Sequence, residues 1–203
     1  MNYGELKLAI ANRLSRTNLT AVIPDFVTLG YSRLYAGFKD VEVQVPPLRL
    51  RDMLASETVS LTTLPTDFLE LHRFTVPDGS SRRALEYITP EEFASKLQNV
   101  SGPRYFTFQD GGVSVQGGTP ASFIFSYYKR FPALVADADT NWLLTNHPGV
   151  YLYSALIEAY AHIKDEARIA TAGRMYAAAA NALIDADKAS RHSGSALSIP
   201  SGR

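Results

Sequence analysis

Residues 123–165 of this chain read FIFSYYKRFPALVADADTNWLLTNHPGVYLYSALIEAYAHIKD and join a predicted strand to a predicted helix. Alternating apolar residues predict the strand over residues 122–128. Pro148 suits the first turn of a helix because its missing N–H would have no partner there, so we expect a helix over residues 148–164. One apolar stripe follows the three- and four-residue spacing of that helix: Leu152, Leu156, Ala159 and Ile163.

Aromatic residues mark both the linker and the outer flank of this helix. A tyrosine row on a helix flank is usually half-buried packing, but tyrosine is also enriched at protein interfaces. We therefore predict intersubunit contacts for the two flank tyrosines, and a fixed angle between the β and α parts held by the linker aromatics. The residues concerned are Tyr153 and Tyr160 on the flank, and Tyr127, Tyr128, Phe131 and Trp142 along the linker.

Upstream, the N-terminal residues predict two helices. Apolar residues at helical spacing predict the first over residues 2–15, with a stripe of Tyr3, Leu6, Ile10 and Leu14. Pro24 and Asp25 open the second, whose inward stripe is Phe26, Gly30, Leu34 and Phe38. A glycine within a helix costs roughly 1 kcal/mol against alanine, so we interpret Gly30 as a close crossing with another backbone.

Between residues 41 and 131 the apolar period changes to two, which predicts strands. Asp110, Gly111 and Gly112 lie between two alternating runs and give the clearest local hairpin signal of the chain. A short helix is expected from Thr89 to about Leu97. Strands are expected at residues 41–45, 59–61, 69–76, 84–88, 105–109, 113–116 and 122–128.

A last helix is predicted over residues 165–189, followed by an extended tail at 190–203. Four helices with one apolar face each would close on one another. The predicted fold class is thus α+β: a four-helix bundle built by residues 1–40 and 141–189, with residues 41–140 inserted as a small antiparallel β domain.

The amino-acid composition disfavours several classes of function. The 203 residues are 46% hydrophobic, and their 20 basic residues equal their 20 acidic ones, which disfavours tight nucleic-acid binding. There is no cysteine, so neither a disulfide framework nor a thiolate zinc site is possible. Without an apolar run that resembles a signal peptide or a membrane span, we expect a soluble protein with no membrane partner.

Short motifs recur in one order along the chain. Tyr3 and Leu6 begin it, and Ile23 and Pro24 enter the second helix. The next members are Leu64, Pro65, Asp67, Phe68 and Leu69. Gly102 and Pro103 then begin a Gly-Pro-x-x-Tyr motif that is matched only loosely, because Phe106 stands at the tyrosine position and Tyr105 is one position too early. Pro120 follows. The opening stretch supplies Tyr127, Tyr128, Phe131, Pro132, Leu134, Asn141, Trp142, Leu143, Pro148, Tyr151, Leu152 and the small-residue helix 155–161.

In this order the chain resembles the head-to-tail adaptor proteins of tailed bacteriophages, the group that includes tail tubular protein A of short-tailed phages. The resemblance implies a virion protein of the head–tail junction, assembled in the host cytoplasm, without catalysis or cofactor. It implies a ring, typically of twelve copies, below the portal protein and above a downstream neck or tail (nozzle) protein. Double-stranded DNA would pass through that ring without specific binding.

Other functions fit the sequence less well. Glu158, His162 and Glu166 follow one another at four-residue steps and could form a metal-binding helix face, but a solvated flank explains them better, so no metal is expected. No nucleophile elbow, zinc-protease motif or phosphate loop is present, so no catalytic residue is predicted. The alternatives are a nucleic-acid-binding module, for which arginine pairs are scattered over the chain, or a small enzyme without a recognisable motif.

The tail supplies the predicted portal contact. Leu197 and Ile199 alternate with small residues, and Arg191 and Arg203 flank them, so this peptide could add as a strand to a partner or fill its pockets. A disordered end is the competing interpretation.

Overall fold

The computed structural model describes residues 1–40, 42–59, 64–78, 81–95, 102–109, 111–117 and 122–192. The chain divides into two units: Met1–Leu50 with Phe131–Arg203, of which 193–203 lie outside the described residues, and Arg51–Arg130. We call them the helical unit and the β unit. The fold is mixed, with helices and mainly antiparallel sheets, as an α+β class requires. Residues 42–50 and 131–140, which the sequence had placed in the insertion, belong to the helical unit.

Helices predominate at both ends of the chain, and strands predominate in the middle. In chain order they are α1 Tyr3–Leu14, α2 Ile23–Ala36, β1 Phe38–Lys39, β2 Gln44–Val45, β3 Leu54–Val59, β4 Phe68–Asp78, β5 Ser81–Ala84, β6 Glu86–Tyr87, α3 Pro90–Ser95, β7 Tyr105–Gln109, β8 Gly112–Gln116, β9 Phe123–Lys129, α4 Trp142–Asn146, α5 Pro148–His162 and α6 Glu166–His192.

Helix α1 begins with a capping box. The Asn2 side chain accepts from the Glu5 backbone N–H, and the Glu5 carboxylate accepts from the Asn2 N–H. The predicted stripe of this helix is confirmed, since all of its members are buried: Tyr3, Leu6, Ile10 and Leu14.

Helix α2 crosses α5 at Gly30, as predicted. A Cβ built on Gly30 would lie 2.8 Å from the Ala155 nitrogen and 2.9 Å from both the carbonyl carbon and the hydroxyl oxygen of Ser154. The two backbones therefore approach closely because Gly30 has no side chain. A 3₁₀ helix over Thr17–Val22 precedes α2, where a simple break was expected.

Helix α5 is the common neighbour of the helical unit, packing against α1, α2, α4 and α6. Helix α5 is accordingly buried around much of its circumference rather than along the single predicted stripe. Ile163, which was predicted on that stripe, lies beyond the end of the helix at His162. Lys164 adopts a left-handed φ of 58°, and the Asp165 N–H reaches the Tyr160 carbonyl at 3.0 Å, which ends the helix in a Schellman motif.

Helix α6 continues to His192, beyond the predicted end at residue 189. Asp165 caps it by accepting from the Arg168 backbone N–H at 3.1 Å. Residues 190–192 are therefore helical, so the predicted tail can begin only after them.

The strand predicted at residues 41–45 takes a different form. The pairing strands are β1 and β2, which form a short antiparallel hairpin with Phe38 opposite Val45. Phe38, predicted on the α2 stripe, lies in β1 and remains buried.

The β unit contains a four-stranded antiparallel sheet in the order β3-β9-β4-β5 and a three-stranded sheet in the order β6-β7-β8. The predicted hairpin is confirmed, because Gln109 pairs with Gly112 across the turn, where Gly111 has a φ of 72°. The β6–β7 pair is parallel, an arrangement the sequence did not predict. The core between these strands is largely aromatic: Phe74, Val76, Leu85, Phe106, Val113, Phe123, Phe125 and Tyr127.

Candidate interaction surfaces

The described residues bring no group of three histidine, cysteine, aspartate or glutamate side chains together for a metal ion. The carboxylate of Glu158 instead forms an ion pair with Arg33 on α2. His162 packs against Phe26, with ring centroids 5.3 Å apart. We take contact surfaces, and the side chains that shape them, as the candidate functional features.

After the β unit, the chain re-enters the helical unit at Phe131, which is held there by hydrogen bonds and ring stacking. Its N–H donates to the Tyr35 hydroxyl at 2.9 Å, and its carbonyl accepts from the Tyr31 hydroxyl at 2.5 Å. The Phe131 ring stacks on Trp142 with centroids 5.9 Å apart and an interplanar angle of 8°. Burial, and then the hydrogen bond with Tyr31, raise the pKa of the Tyr35 hydroxyl. Two predicted linker residues, Phe131 and Trp142, are thus direct neighbours.

Asn141 fixes the end of the linker. Its side-chain oxygen accepts from the Leu144 N–H at 2.9 Å, which caps α4. Its amide nitrogen donates to the Pro132 carbonyl and to the Tyr151 hydroxyl, at 3.0 and 2.9 Å. One buried side chain therefore joins the linker, α4 and α5.

Residues 135–139 form a turn that lies over the start of α1. The Asp139 carboxylate accepts from the Val135 and Ala136 backbone N–H groups at 2.8 and 2.7 Å, and these bonds lower the pKa of Asp139. The carbonyls of Asp139 and Asp137 accept from the first N–H groups of α1, those of Tyr3 and Gly4. The turn thereby satisfies helix N–H groups that have no partner within the helix.

Tyr127 and Tyr128 lie on β9 in the β unit. Tyr127 belongs to the core, and its hydroxyl donates to carboxylate oxygens of Glu57 and Asp67, each at 3.0 Å. Burial, and then these two carboxylates, raise the pKa of Tyr127. Tyr128 meets His72 edge to face, with ring centroids 5.5 Å apart. Within the β unit both tyrosines therefore have packing roles.

Tyr153 and Tyr160, the predicted intersubunit residues, line one open groove in the helical unit. The groove has a volume of about 400 Å³ and is formed by α1, α5 and α6. The guanidinium of Arg13 lies over the Tyr153 ring and that of Arg168 over the Tyr160 ring, each 5.8 Å from the centroid. The remaining lining residues are Leu156, Thr171, Ala172 and Met175.

Of the four predicted portal-binding residues, the structure describes one, Arg191. Arg191 lies in α6, where its guanidinium bonds Asp187 and donates to the Arg49 carbonyl at 3.1 Å. It is thus held within the helical unit rather than presented on an extended tail. Leu197, Ile199 and Arg203 lie outside the described residues.

Sequence comparison agrees with the resemblance. Residues 1–199 match the model of the SU10 adaptor protein family. The chain belongs to that family. SU10 adaptor family proteins are structural phage proteins, so membership implies a virion component that associates with other head–tail proteins. No curated protein matches the chain significantly. Among the described residues, no helix has both the length and the apolar character needed to cross a membrane.

Sequence reasoning missed several residues that shape these surfaces. Tyr31 and Tyr35 stand four residues apart on α2, a spacing that places them on one helix face, but nothing in the sequence pairs that face with Phe131. Asn141 before Trp-Leu-Leu is a recognisable helix cap signal, and it could have predicted α4. Asp139 carries no such signal, because its partners are backbone groups.

Proposed function

We propose that this adaptor family member forms a ring below the phage portal protein and connects the capsid vertex to the tail or neck. The match of residues 1–199 to the adaptor family carries this proposal. The ring would hold twelve copies, and a downstream neck or tail protein would bind its other side. Double-stranded DNA would pass through its channel during ejection.

The helical unit supplies the ring body in this proposal. Helices α1, α2, α5 and α6 are inferred to act as a four-helix bundle, which the packing of the other three against α5 supports. A closed ring requires two different complementary faces on each subunit. The groove at Tyr153 and Tyr160 is our candidate for one of them. The β unit would then face the next component.

Equal numbers of basic and acidic residues support passage of DNA without tight binding. A strongly basic channel would retain the phosphate backbone through counterion release. We infer that the duplex passes the channel wall without specific binding, and that the specific contacts of the chain are with protein partners.

The portal contact is proposed for residues 193–203, which follow the end of α6. Because Arg191 bonds Asp187 and Arg49, a test that removes it would also disturb the helical unit. Deletion of residues 193–203 keeps Arg191 and should leave a folded subunit. We expect this truncated chain to be lost from portal rings when the two proteins are co-expressed and purified together.

The measurement is the amount of adaptor that copurifies with the portal protein of the same phage, together with electron microscopy of the complex. The full-length chain, co-expressed and purified in the same way, is the control. Full-length chain that never attaches to the portal contradicts the proposed function. Normal attachment of the truncated chain contradicts only the role of the tail.

A further inference from the structure

The helical unit has different surfaces on opposite flanks of α5. Tyr151 points to the α2 side, where its ring stacks with Tyr31 at a centroid distance of 6.3 Å. Tyr153, two residues later, lines the groove formed with α1 and α6. Two residues correspond to about 200° around an α-helix, so these flanks face nearly opposite directions. Such an arrangement is what two neighbours in a ring need.

The first surface is the groove itself, which is apolar at its floor and basic at its rim. Leu156 and Ala172 line it, and the Met175 side chain beside them is 49% exposed. Arg13 and Arg168 supply positive charge, of which Arg168 also pairs with Asp165 at 3.3 Å. No carboxylate occurs among the described residues that line the groove. Its chemistry therefore suits an apolar side chain accompanied by an acidic one.

The second surface is the turn at residues 135–139. Val135 is 81% exposed, although the Asp139 carboxylate holds its backbone N–H and fixes the turn. The carboxylate of Asp137 is 76% exposed and contacts Lys7 at 2.5 Å. The turn thus presents an apolar side chain and an acidic one in a fixed conformation, which is the chemistry that suits the groove.

The turn lies on the α2 side of α5. Ala133 and Leu134, directly before Val135, border a smaller cavity of about 180 Å³ that Tyr31 and Tyr151 also line. Within one chain the turn contacts Gly4 at the start of α1, whereas the groove includes Arg13 at its end. Nine residues of helix separate these positions by about 14 Å. The nearer contact of the turn, Asp137 with Lys7, is still six residues before Arg13, and neither Val135 nor Asp137 lines the groove of its own chain.

We propose that Val135 and Asp137 of one copy bind the groove of the next copy. Val135 enters the apolar floor beside Met175, and Asp137 meets the arginine rim. The contact is heterologous, so its repetition can close a ring. The inference rests on the proposed ring and names the two faces that form it.

The absence of cysteine from the chain allows a clean crosslinking test. A Val135→Cys and Met175→Cys double variant, co-expressed with the portal protein and oxidised, should give a ladder of disulfide-linked oligomers. Each single variant should give none. The matched control pairs Leu8→Cys with Met175→Cys, because Leu8 is also an exposed apolar residue of the helical unit, at 62%.

A second variant measures the energy of the contact. Val135→Lys would place a third positive charge beside Arg13 and Arg168, so it should weaken self-association about tenfold or more in sedimentation experiments, while Leu8→Lys should change it little. Circular dichroism confirms that both variants remain folded. If the double cysteine variant forms rings but no crosslink, or if Val135→Lys leaves self-association unchanged, this contact is wrong and the adaptor function is unaffected. If the unmodified chain forms no ring with the portal, both proposals fall.

Discussion

Gly30 shows at the scale of one residue how the helical unit is held together. Alanine there would gain about 1 kcal/mol of helix propensity. Its Cβ would, however, stand 2.8–2.9 Å from backbone and side-chain atoms of Ser154 and Ala155, and overpacking of this kind costs about 1–3 kcal/mol. Because the clash involves backbone, which cannot rotate away, the cost outweighs the gain, and we expect Gly30→Ala to lower the free energy of unfolding by up to about 2 kcal/mol.

Gly149 provides the matched control for that substitution. It lies in α5, and the nearest atom to its built Cβ is a Tyr153 ring carbon at 3.6 Å, an ordinary contact distance. Gly149→Ala should therefore be neutral or stabilising by up to about 1 kcal/mol. Urea unfolding followed through the fluorescence of Trp142, the single tryptophan, compares the two variants in the helical unit. Equal stability of both variants would show that the crossing relaxes freely.

At the scale of elements, the turn at residues 135–139 should make the helical unit sensitive to acid. Backbone N–H groups lower the pKa of Asp139 in the folded protein below its ordinary value of about 3.9. A carboxyl whose pKa falls on folding stabilises the fold above the unfolded pKa, and that stabilisation is lost as pH decreases through the folded pKa. We expect the urea midpoint to fall as pH is lowered from about 5 to about 3.

Asp139→Asn separates this effect from general acid denaturation. Asparagine keeps an oxygen that can accept the same N–H groups but does not titrate. The urea midpoint of this variant should fall less steeply over that pH range, as measured again by Trp142 fluorescence. Asp185→Asn, which removes an exposed carboxylate on α6, should follow the unmodified chain. Parallel curves for all three proteins would contradict the assigned role of Asp139.

Element types were predictable where local periodicity decides them, and contacts distant in sequence were not. The stripe of α1, the glycine crossing in α2 and the hairpin from β7 to β8 all follow from spacing and turn chemistry. The burial of α5 on several sides does not, because its neighbours come from both ends of the chain. Tyr31 and Tyr35 likewise bind backbone atoms 100 and 96 residues away. The spacing of residues along the sequence does not predict partners that are so distant.

At the scale of the whole molecule, the chain leaves the helical unit after Leu50 and returns at Phe131. Both crossings are anchored on the helical side. The Leu48 N–H donates to the Leu34 carbonyl at 2.8 Å, and Leu50 is buried, while Phe131 is bonded to Tyr31 and Tyr35. Well-anchored crossings limit the freedom of the backbone on the helical side, and the fixed angle between the units stays a prediction.

Trp142→Ala tests that angle, because it removes the ring stacked on Phe131 at the returning crossing. We expect faster tryptic cleavage after the exposed Arg130, and fewer complete rings on the portal in electron micrographs. His162→Ala, which changes an exposed side chain of α5, is the control and should alter neither measurement. Circular dichroism establishes that both variants fold. If Trp142→Ala rings are complete and the cleavage rate is unchanged, the stack serves the helical unit alone, and the predicted role of Trp142 in a fixed angle is wrong.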